Sequence, residues 1–162
     1  MAADDKAIAS VPLQIRNFRL SDAVSISQIL RDSTESAQWP PESYAKLAGL
    51  PGSVFLVCET NADLVGFLAA RQVADEAEIL NIAVHRDFRR KGIATALLLA
   101  ALDKFRSSTV ASVFLELRES NQPARALYER HGFVSSGIRK SYYRDPTEHA
   151  LCMQKKLTDP SH

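Results

Sequence analysis

The sequence predicts one domain of mixed α and β structure, and two of its features lead to that prediction. Apolar residues recur with a period of two in some segments, which is typical of strands, and with a period near 3.6 in others, which is typical of helices. In the middle of the chain a strand at 77–84, a helix at 94–105 and a strand at 112–118 follow one another. A crossover helix joins parallel strands in a right-handed unit, so we expect these two strands to lie parallel.

The N-terminal half of the chain alternates between strand and helix patterns. We expect residues 1–10 to form a disordered tail, because they contain no apolar run, and residues 11–158 to form the domain. Ser21 and Asp22 are typical cap residues for a helix that runs to about Arg31. The other predicted elements are a strand at 13–18, a proline-interrupted stretch at 39–41, a short helix at 42–48, strands at 54–59 and 64–71, and a hairpin turn between them at 61–63.

Composition and charge argue against several classes of protein. The 162 residues are 46% hydrophobic and 24% charged with a formal net charge of +1, which is ordinary for a globular protein and argues against nucleic acid as a ligand. The first ten residues have no apolar core, so we expect neither a signal peptide nor a membrane span there. Cys58 and Cys152 lie in apolar strand patterns, which suits reduced thiols in a cytoplasmic protein. We expect no metal site, because no ligand spacing occurs among His85, His131, His149 and His162.

The turn at 89–95 has the features of a phosphate-binding site. It joins an apolar strand to an apolar helix that we expect to be packed inside the domain, and Gly92 lets the chain turn into that helix. The first N–H groups of a helix have no partner within it and lie at the positive end of its dipole. Three basic residues precede the glycine, whereas the Walker and dinucleotide motifs require further glycines that this turn lacks. The alternative interpretation is a basic run exposed to solvent.

A second motif, at 121–133, places a tyrosine on the inner face of a short helix. Asn121 is a typical N-cap, Pro123 suits the first turn, and Gly132 lies just past the C-terminal end. Tyr128 shares one helix face with apolar neighbours, so we expect its ring to point toward the core. Two interpretations of Tyr128 remain open, a residue that fills space and bonds a backbone carbonyl, or a residue with a chemical role.

Both motifs resemble signatures of one enzyme family. Arg89-x-x-Gly92-x-Ala94 is similar to the pyrophosphate-binding signature Q/R-x-x-G-x-G/A of the GNAT superfamily of acetyl-CoA-dependent N-acetyltransferases, in which alanine is an accepted variant at the last position. The pattern N-x-x-A-x-x-L-Y-x-x-x-G-F over 121–133 resembles the second motif of that family. The stretch 75–157 further resembles the RimI-type subgroup, the ribosomal-protein N-terminal alanine acetyltransferases, although the hairpin at 144–147 is short for that subgroup.

The resemblance implies a fold and two catalytic residues. The GNAT fold is a mixed, mostly antiparallel, twisted sheet of about seven strands with one parallel βαβ unit and about four helices. Glu116 would be the general base, with Glu76 and Glu78 as reserve bases, and Tyr128 would give a proton to the departing thiolate. The alternative for Glu116 is an ion pair with Arg118 or with a charge on a neighbouring strand.

The resemblance also implies which segments hold acetyl-CoA. The 89–95 turn would bind its diphosphate, and backbone N–H groups at 82–84 would hold the acetyl oxygen. Asn121 would contact the coenzyme or its pantetheine arm. The full set of residues implied to contact acetyl-CoA is Ile82, Ala83, Val84, Arg89, Arg90, Lys91, Gly92, Ile93, Ala94, Thr95, Asn121 and Tyr128.

The chemistry favours an N-terminal amine as acetyl acceptor. An α-amino group has a reference pKa of about 7.7 to 8.0, against about 10.4 for lysine, so it loses its proton more readily near neutral pH. We expect direct attack on acetyl-CoA, because Cys58 has no nearby histidine and His149 and Cys152 project from opposite faces of a strand. The implied partners are acetyl-CoA and a protein N-terminus, such as that of a ribosomal protein, without nucleic acid or membrane. The alternatives are a small-amine acetyltransferase, an inactive coenzyme-binding module, and a partner-docking surface at 139–143.

Overall fold

The computed structural model describes residues 12–33 and 36–157, which form a seven-stranded sheet with helices on both faces. The predicted tail at 1–10, like residues 11 and 158 of the predicted domain, lies outside the described residues. The strands are β1 (Gln14–Asn17), β2 (Ser53–Thr60), β3 (Asp63–Val73), β4 (Glu76–Val84), β5 (Ser112–Arg118), β6 (Val134–Tyr143) and β7 (Glu148–Lys156). The helices are α1 (Ala23–Arg31), α2 (Pro41–Ala48), α3 (Ile93–Arg106) and α4 (Gln122–Arg130), with single 3₁₀ turns at Leu20–Asp22 and Arg86–Phe88. No helix in this described part of the chain is long and apolar enough to cross a membrane.

The sheet is mixed and contains one parallel pair. Its order is β1-β2-β3-β4-β5-β7-β6, and all neighbouring strands are antiparallel except β4 and β5. Helix α3 connects those two strands, so the structure confirms the predicted βαβ unit and the predicted fold class. The 89–95 turn follows the carboxyl end of β4, the end at which parallel units bind their ligands.

Different helices cover the two faces of the sheet. Helices α3 and α4 cover one face, where Leu97, Leu98 and Tyr128 pack against apolar side chains of β2 to β5. Helices α1 and α2 cover the other face, with Ile26 and Tyr44 at the centre of a second buried cluster. The inner strands supply both clusters, because successive side chains of a strand point to opposite faces. Each helix is therefore held by an apolar stripe on one of its sides.

Two local predictions are wrong. Helix α3 is not buried all round, because it packs on the outside of the sheet and leaves Leu99 43% exposed. Asp22 does not cap α1 through its side chain within the described residues. Its carboxylate turns back and accepts hydrogen bonds from both terminal nitrogens of Arg16, at 2.9 Å each, and from the backbone N–H of Arg19 at 2.7 Å. The carboxylate thus pairs with the guanidinium of Arg16 and, through the N–H of Arg19, caps the start of the 3₁₀ turn that leads into α1.

Candidate active site

Strands β4 and β5 separate part of the way along, and a wedge opens between them. Their parallel pairing runs only from Glu76 and Ser112 to Ile79 and Leu115. On its other side β4 pairs with β3, and a shift in that register leaves Leu80 without a partner. Such a bulge bends its strand, and this bulge falls directly after the last parallel pair. The wedge that results is a cavity of about 100 Å³.

The backbone of β4 beyond the bulge turns polar groups into the space that β5 leaves open. The carbonyl of Ile82 accepts a hydrogen bond from the Ser36 hydroxyl at 3.0 Å, and the carbonyl of Val84 accepts one from Arg89 Nε at 3.2 Å. The N–H and C=O of one strand residue point to the same side, and successive residues alternate. The N–H groups of Ile82 and Val84 therefore point away from β3, toward the side on which β5 lies. The N–H group of Ala83 points the other way, toward β3.

The 89–95 turn borders a groove of about 580 Å³ between α3 and α4, which we call the turn groove. Gly92 is the N-cap of α3 with φ of 80°, a left-handed conformation that glycine adopts without strain. The first hydrogen bond of the helix runs from the N–H of Ala96 to the carbonyl of Gly92 at 3.0 Å. The N–H groups of Ile93, Ala94 and Thr95 therefore have no acceptor within the helix. These three residues line the turn groove, where their N–H groups can bind an anion.

The basic residues around the turn groove take different positions. The guanidinium of Arg89 donates to two groups at the end of α1, the backbone carbonyl of Asp32 at 2.8 Å and Ser33 Oγ at 3.1 Å. These two hydrogen bonds hold the turn against α1. Arg90 and Lys91 are exposed, and Arg90 borders the groove. Arg130, in the last turn of α4, lines the same groove although neither sequence motif marks it. Its place as the last residue of the predicted helix, directly before His131 and Gly132, was the available sign.

Tyr128 lines the wedge from α4. The residue is 3% exposed, and its ring packs edge-on against Phe133 at a centroid distance of 5.4 Å. Burial raises the pKa of the Tyr128 phenol, so the phenol is protonated at neutral pH. No hydrogen bond joins its hydroxyl to another of the described residues, so the carbonyl partner of the space-filling interpretation is not found there. Asn121 also lines the wedge, and it caps α4 as predicted, because its Oδ1 accepts the N–H of Ala124 at 3.3 Å.

Glu116 lines the wedge from β5 and also borders a groove of about 470 Å³ beside α2, which we call the carboxylate groove. Its Oε1 lies 2.8 Å from Nε of Arg139 on β6. Glu116 therefore forms an ion pair, but with neither expected partner, because Arg118 contacts the β6–β7 hairpin and β6 is not next to β5 in the sheet. Glu78 lines the carboxylate groove too, and partial burial together with the charge of Glu116 raises its pKa. Glu76, the other reserve base, lines the same groove from the start of β4, and both Glu76 and Glu78 are exposed.

A third groove, of about 560 Å³, lies between the end of α1 and the hairpin that joins β6 to β7. We call it the hairpin groove. Tyr143 lines both this groove and the wedge, as do Ser36 and Ala37. Burial and the charge of Glu116 raise the pKa of Tyr143 to about 12, so this phenol is also protonated at neutral pH. Three grooves thus meet at one small wedge.

This arrangement is suited to acyl transfer. Such a reaction needs hydrogen-bond donors for a carbonyl oxygen that gains charge, a base for the nucleophile and a proton for the leaving group. The wedge brings together backbone N–H groups of β4, the carboxylate of Glu116 and the phenol of Tyr128. The turn groove, lined by Ile93, Ala94 and Thr95, lies next to them. Together the fold and the site suit an acyltransferase whose acyl donor carries an anionic group.

Comparison with known proteins gives the family. The Acetyltransferase (GNAT) family matches residues 23–133. The chain is 37% identical over 117 residues to the ribosomal protein bS18-alanine N-acetyltransferase of Escherichia coli (strain K12). The aligned region covers 71% of this chain and 78% of that protein. It is 31% identical over 156 residues to an N-alpha-acetyltransferase of Saccharolobus solfataricus. That aligned region covers 88% of this chain and 92% of the other protein. The crystal structure of the ribosomal-protein-S18-alanine N-acetyltransferase from Escherichia coli matches with a TM-score of 0.81 and 29% identity over 91% of this chain and 96% of that one. The chain belongs to the GNAT family of acetyltransferases, as its motifs predict.

Proposed function

We propose that the protein transfers the acetyl group of acetyl-CoA to the N-terminal α-amino group of a protein, such as a ribosomal protein that begins with alanine. The observation that carries this proposal is the meeting of three grooves at one wedge lined by Glu116 and Tyr128. The two relatives described above support it, because their names state an N-terminal alanine or an α-amino acceptor.

Acetyl-CoA would lie in the turn groove. The N–H groups of residues 93–95 would bind its diphosphate at the positive end of the α3 dipole, and Arg130 would add positive charge from α4. Arg89 would act indirectly, by holding the turn against α1. The turn groove and the wedge share Ile82, so a thioester at the end of the coenzyme would reach the N–H groups of β4. Those N–H groups would stabilise the acetyl oxygen as its charge grows.

Glu116 would accept the proton of the attacking amine, and Tyr128 would supply a proton to the departing thiolate. Oε1 of Glu116 lies 2.8 Å from Nε of Arg139, and the carboxylate also lines the wedge, where the amine or a bridging water would reach it. The phenol of Tyr128 is protonated at neutral pH, so it has a proton to donate. Glu78 remains the reserve base, since it borders the carboxylate groove close to Glu116 and its pKa is raised.

The hairpin groove supports a polypeptide acceptor. A groove of about 560 Å³ that opens into the wedge suits several residues of an extended chain. A small amine would fill the wedge and leave the hairpin groove without a role. The lower pKa of an α-amino group than of a lysine also favours the chain terminus as the nucleophile.

The cysteines support direct transfer in a ternary complex. Burial and the charge of Glu59 raise the pKa of the Cys58 thiol, which disfavours the thiolate that an acetyl-cysteine route needs. Nδ1 of His149 accepts the N–H of Ser141 at 2.8 Å, so this histidine is engaged away from Cys152. Both cysteines are free, which suits the reducing cytoplasm in which we propose that the enzyme acts.

The test combines the purified protein with acetyl-CoA and a hexapeptide beginning Ala-Arg, and follows free thiol and peptide mass. We expect one acetyl group on the α-amine, and none on a control peptide of the same sequence with a formylated N-terminus. Glu116→Gln should lower turnover about 100- to 10,000-fold without loss of acetyl-CoA binding. Thiol release without a mass change would mean hydrolysis and would remove the acceptor assignment. Acetylation confined to a lysine side chain would contradict the proposal.

A further inference from the structure

Arg118, the last residue of β5, connects the strand that carries Glu116 to the hairpin between β6 and β7. Its Nη1 donates to the backbone carbonyl of Pro146 at 3.0 Å, and its Nη2 donates to that of Arg144 at 2.9 Å. Nη1 also lies 3.4 Å from Oε1 of Glu148. The guanidinium carbon lies 4.7 Å from the ring centroid of Tyr143. One side chain thus contacts the loop at 144–147 and both strand ends that flank it.

These contacts fix the orientation of the loop, which an ordinary surface ion pair does not do. A guanidinium is planar and its donors point in fixed directions, so bonds to two carbonyls orient the loop relative to β5. The side chains of Arg118 and Glu148 are only 15% and 18% exposed, which shields their contact from water. The carboxylate of Glu148 also accepts the N–H of Ser120, so the same contacts reach the loop that precedes α4. Arg118 therefore links three segments around the wedge.

The hairpin tip depends on such contacts because regular pairing holds it only at one place, where Tyr143 pairs with Glu148. The register of β6 against β7 is interrupted between Arg139 and Tyr143, just before the loop. Tyr143 lines both the wedge and the hairpin groove, so its position sets the shape of the passage between them. Its ring is held by the guanidinium of Arg118 and packs edge-on against Tyr142 at a centroid distance of 5.2 Å. Loss of Arg118 would free both the loop and the ring.

We propose that Arg118 is a positioning residue that preforms the hairpin groove for the acceptor polypeptide. It would act through Tyr143 and the 144–147 loop and would not touch the reacting atoms. The inference rests on the proposed function, because that function assigns the hairpin groove to the acceptor. Without Arg118 the loop and the ring would have to become ordered when the acceptor binds, at a cost to affinity. The turn groove lacks Arg118 among its lining residues within the described chain, so acetyl-CoA binding should be spared.

The test compares Arg118→Gln and Arg118→Lys with the control Arg125→Gln. Arg125 is also an ion-paired arginine, with Nε 2.6 Å from Oε1 of Glu129, but it lies on the exposed side of α4. In Arg118→Gln we expect KM for the Ala-Arg hexapeptide to rise about tenfold, while kcat and the Kd for acetyl-CoA change less than about threefold. Arg118→Lys should fall between, because an ammonium keeps the charge but cannot span two carbonyls and a ring. Arg125→Gln should match the wild type.

Two results would overturn the inference. One is a peptide KM in Arg118→Gln equal to that of the control variant, and the other is an equal loss of affinity for peptide and for acetyl-CoA, which a general structural role would give. A second readout needs no acceptor. Backbone ¹⁵N order parameters of residues 143–148 in the free protein should fall in Arg118→Gln and not in Arg125→Gln. If the wild type acetylates no peptide, the proposed function fails, whereas unchanged order parameters overturn the role of Arg118 by themselves.

Discussion

Replacement of Tyr128 by phenylalanine should separate catalysis from folding. The substitution removes a hydroxyl that has no hydrogen-bond partner among the described residues and keeps the ring that packs against Phe133. We therefore expect the free energy of unfolding to change by less than about 0.5 kcal/mol. Loss of a proton donor to the thiolate should lower kcat about 100- to 10,000-fold, which corresponds to about 3 to 5 kcal/mol of activation free energy. Because the pKa of Tyr128 is raised, the size of this loss should not vary between about pH 6 and pH 9.

The assay measures thiol release at saturating acetyl-CoA and peptide, with acetyl-CoA affinity from calorimetry and stability from denaturant unfolding. Tyr44→Phe is the matched control, because the Tyr44 hydroxyl donates to the carbonyl of Trp39 at 3.1 Å on the other face of the sheet. It should lose about 1 kcal/mol of stability and keep its turnover. The assignment of Tyr128 is refuted if Tyr128→Phe turns over within about threefold of the wild type.

Three further predictions concern the turn, the core and the Asp22 ion pair. In Gly92→Ala the new Cβ meets no atom within 4 Å, so only the left-handed φ costs energy, about 1–2 kcal/mol in denaturant unfolding. If the free turn relaxes to escape this strain, acetyl-CoA affinity measured by calorimetry falls by as much as about 5- to 30-fold, whereas Gly137→Ala should bind normally. In denaturant unfolding, Leu97→Ala should cost about 2–5 kcal/mol and Leu99→Ala, on the exposed side of the same helix, less than about 0.5 kcal/mol. Burial raises the pKa of Asp22, but hydrogen bonds from Arg16 and Arg19 outweigh it, so the net pKa is lowered and the carboxylate stabilises the fold above its unfolded pKa. Asp22→Asn should therefore cost about 1–3 kcal/mol at pH 7, and its difference from the wild type should shrink as the pH falls below about 4.

The parts of the fold that the sequence predicts are those set by local rules. Asn121 caps α4 and Gly132 ends it with a positive φ, because both act within one helical turn. The βαβ unit follows from hydrophobic period and element order alone. The turn into α3 is equally local, since Gly92 and the orphan N–H groups after it belong to one short stretch of chain.

The parts that the sequence does not predict depend on residues far apart in the chain. The separation of β4 from β5 coincides with a bulge at Leu80, and the bulge exists only in the register between β3 and β4. The ion pair between Glu116 and Arg139 joins strands that are not neighbours in the sheet. The exposure of Leu99 is not predictable either, because an apolar helix sequence does not show which side meets solvent. The grooves that meet at the wedge arise from such contacts. The motifs therefore identify residues that line the grooves, but they do not show that the grooves meet.

The most direct measurement of the central claim is a backbone amide NMR titration with coenzyme A. We expect the amide protons of Ile93, Ala94 and Thr95 to shift downfield together as they bind the diphosphate, because they have no acceptor within α3. Pantetheine, which lacks the diphosphate, should leave these three amides in place. If coenzyme A binds and these amides do not move, or if pantetheine moves them equally, the turn into α3 does not hold the diphosphate and the account is contradicted.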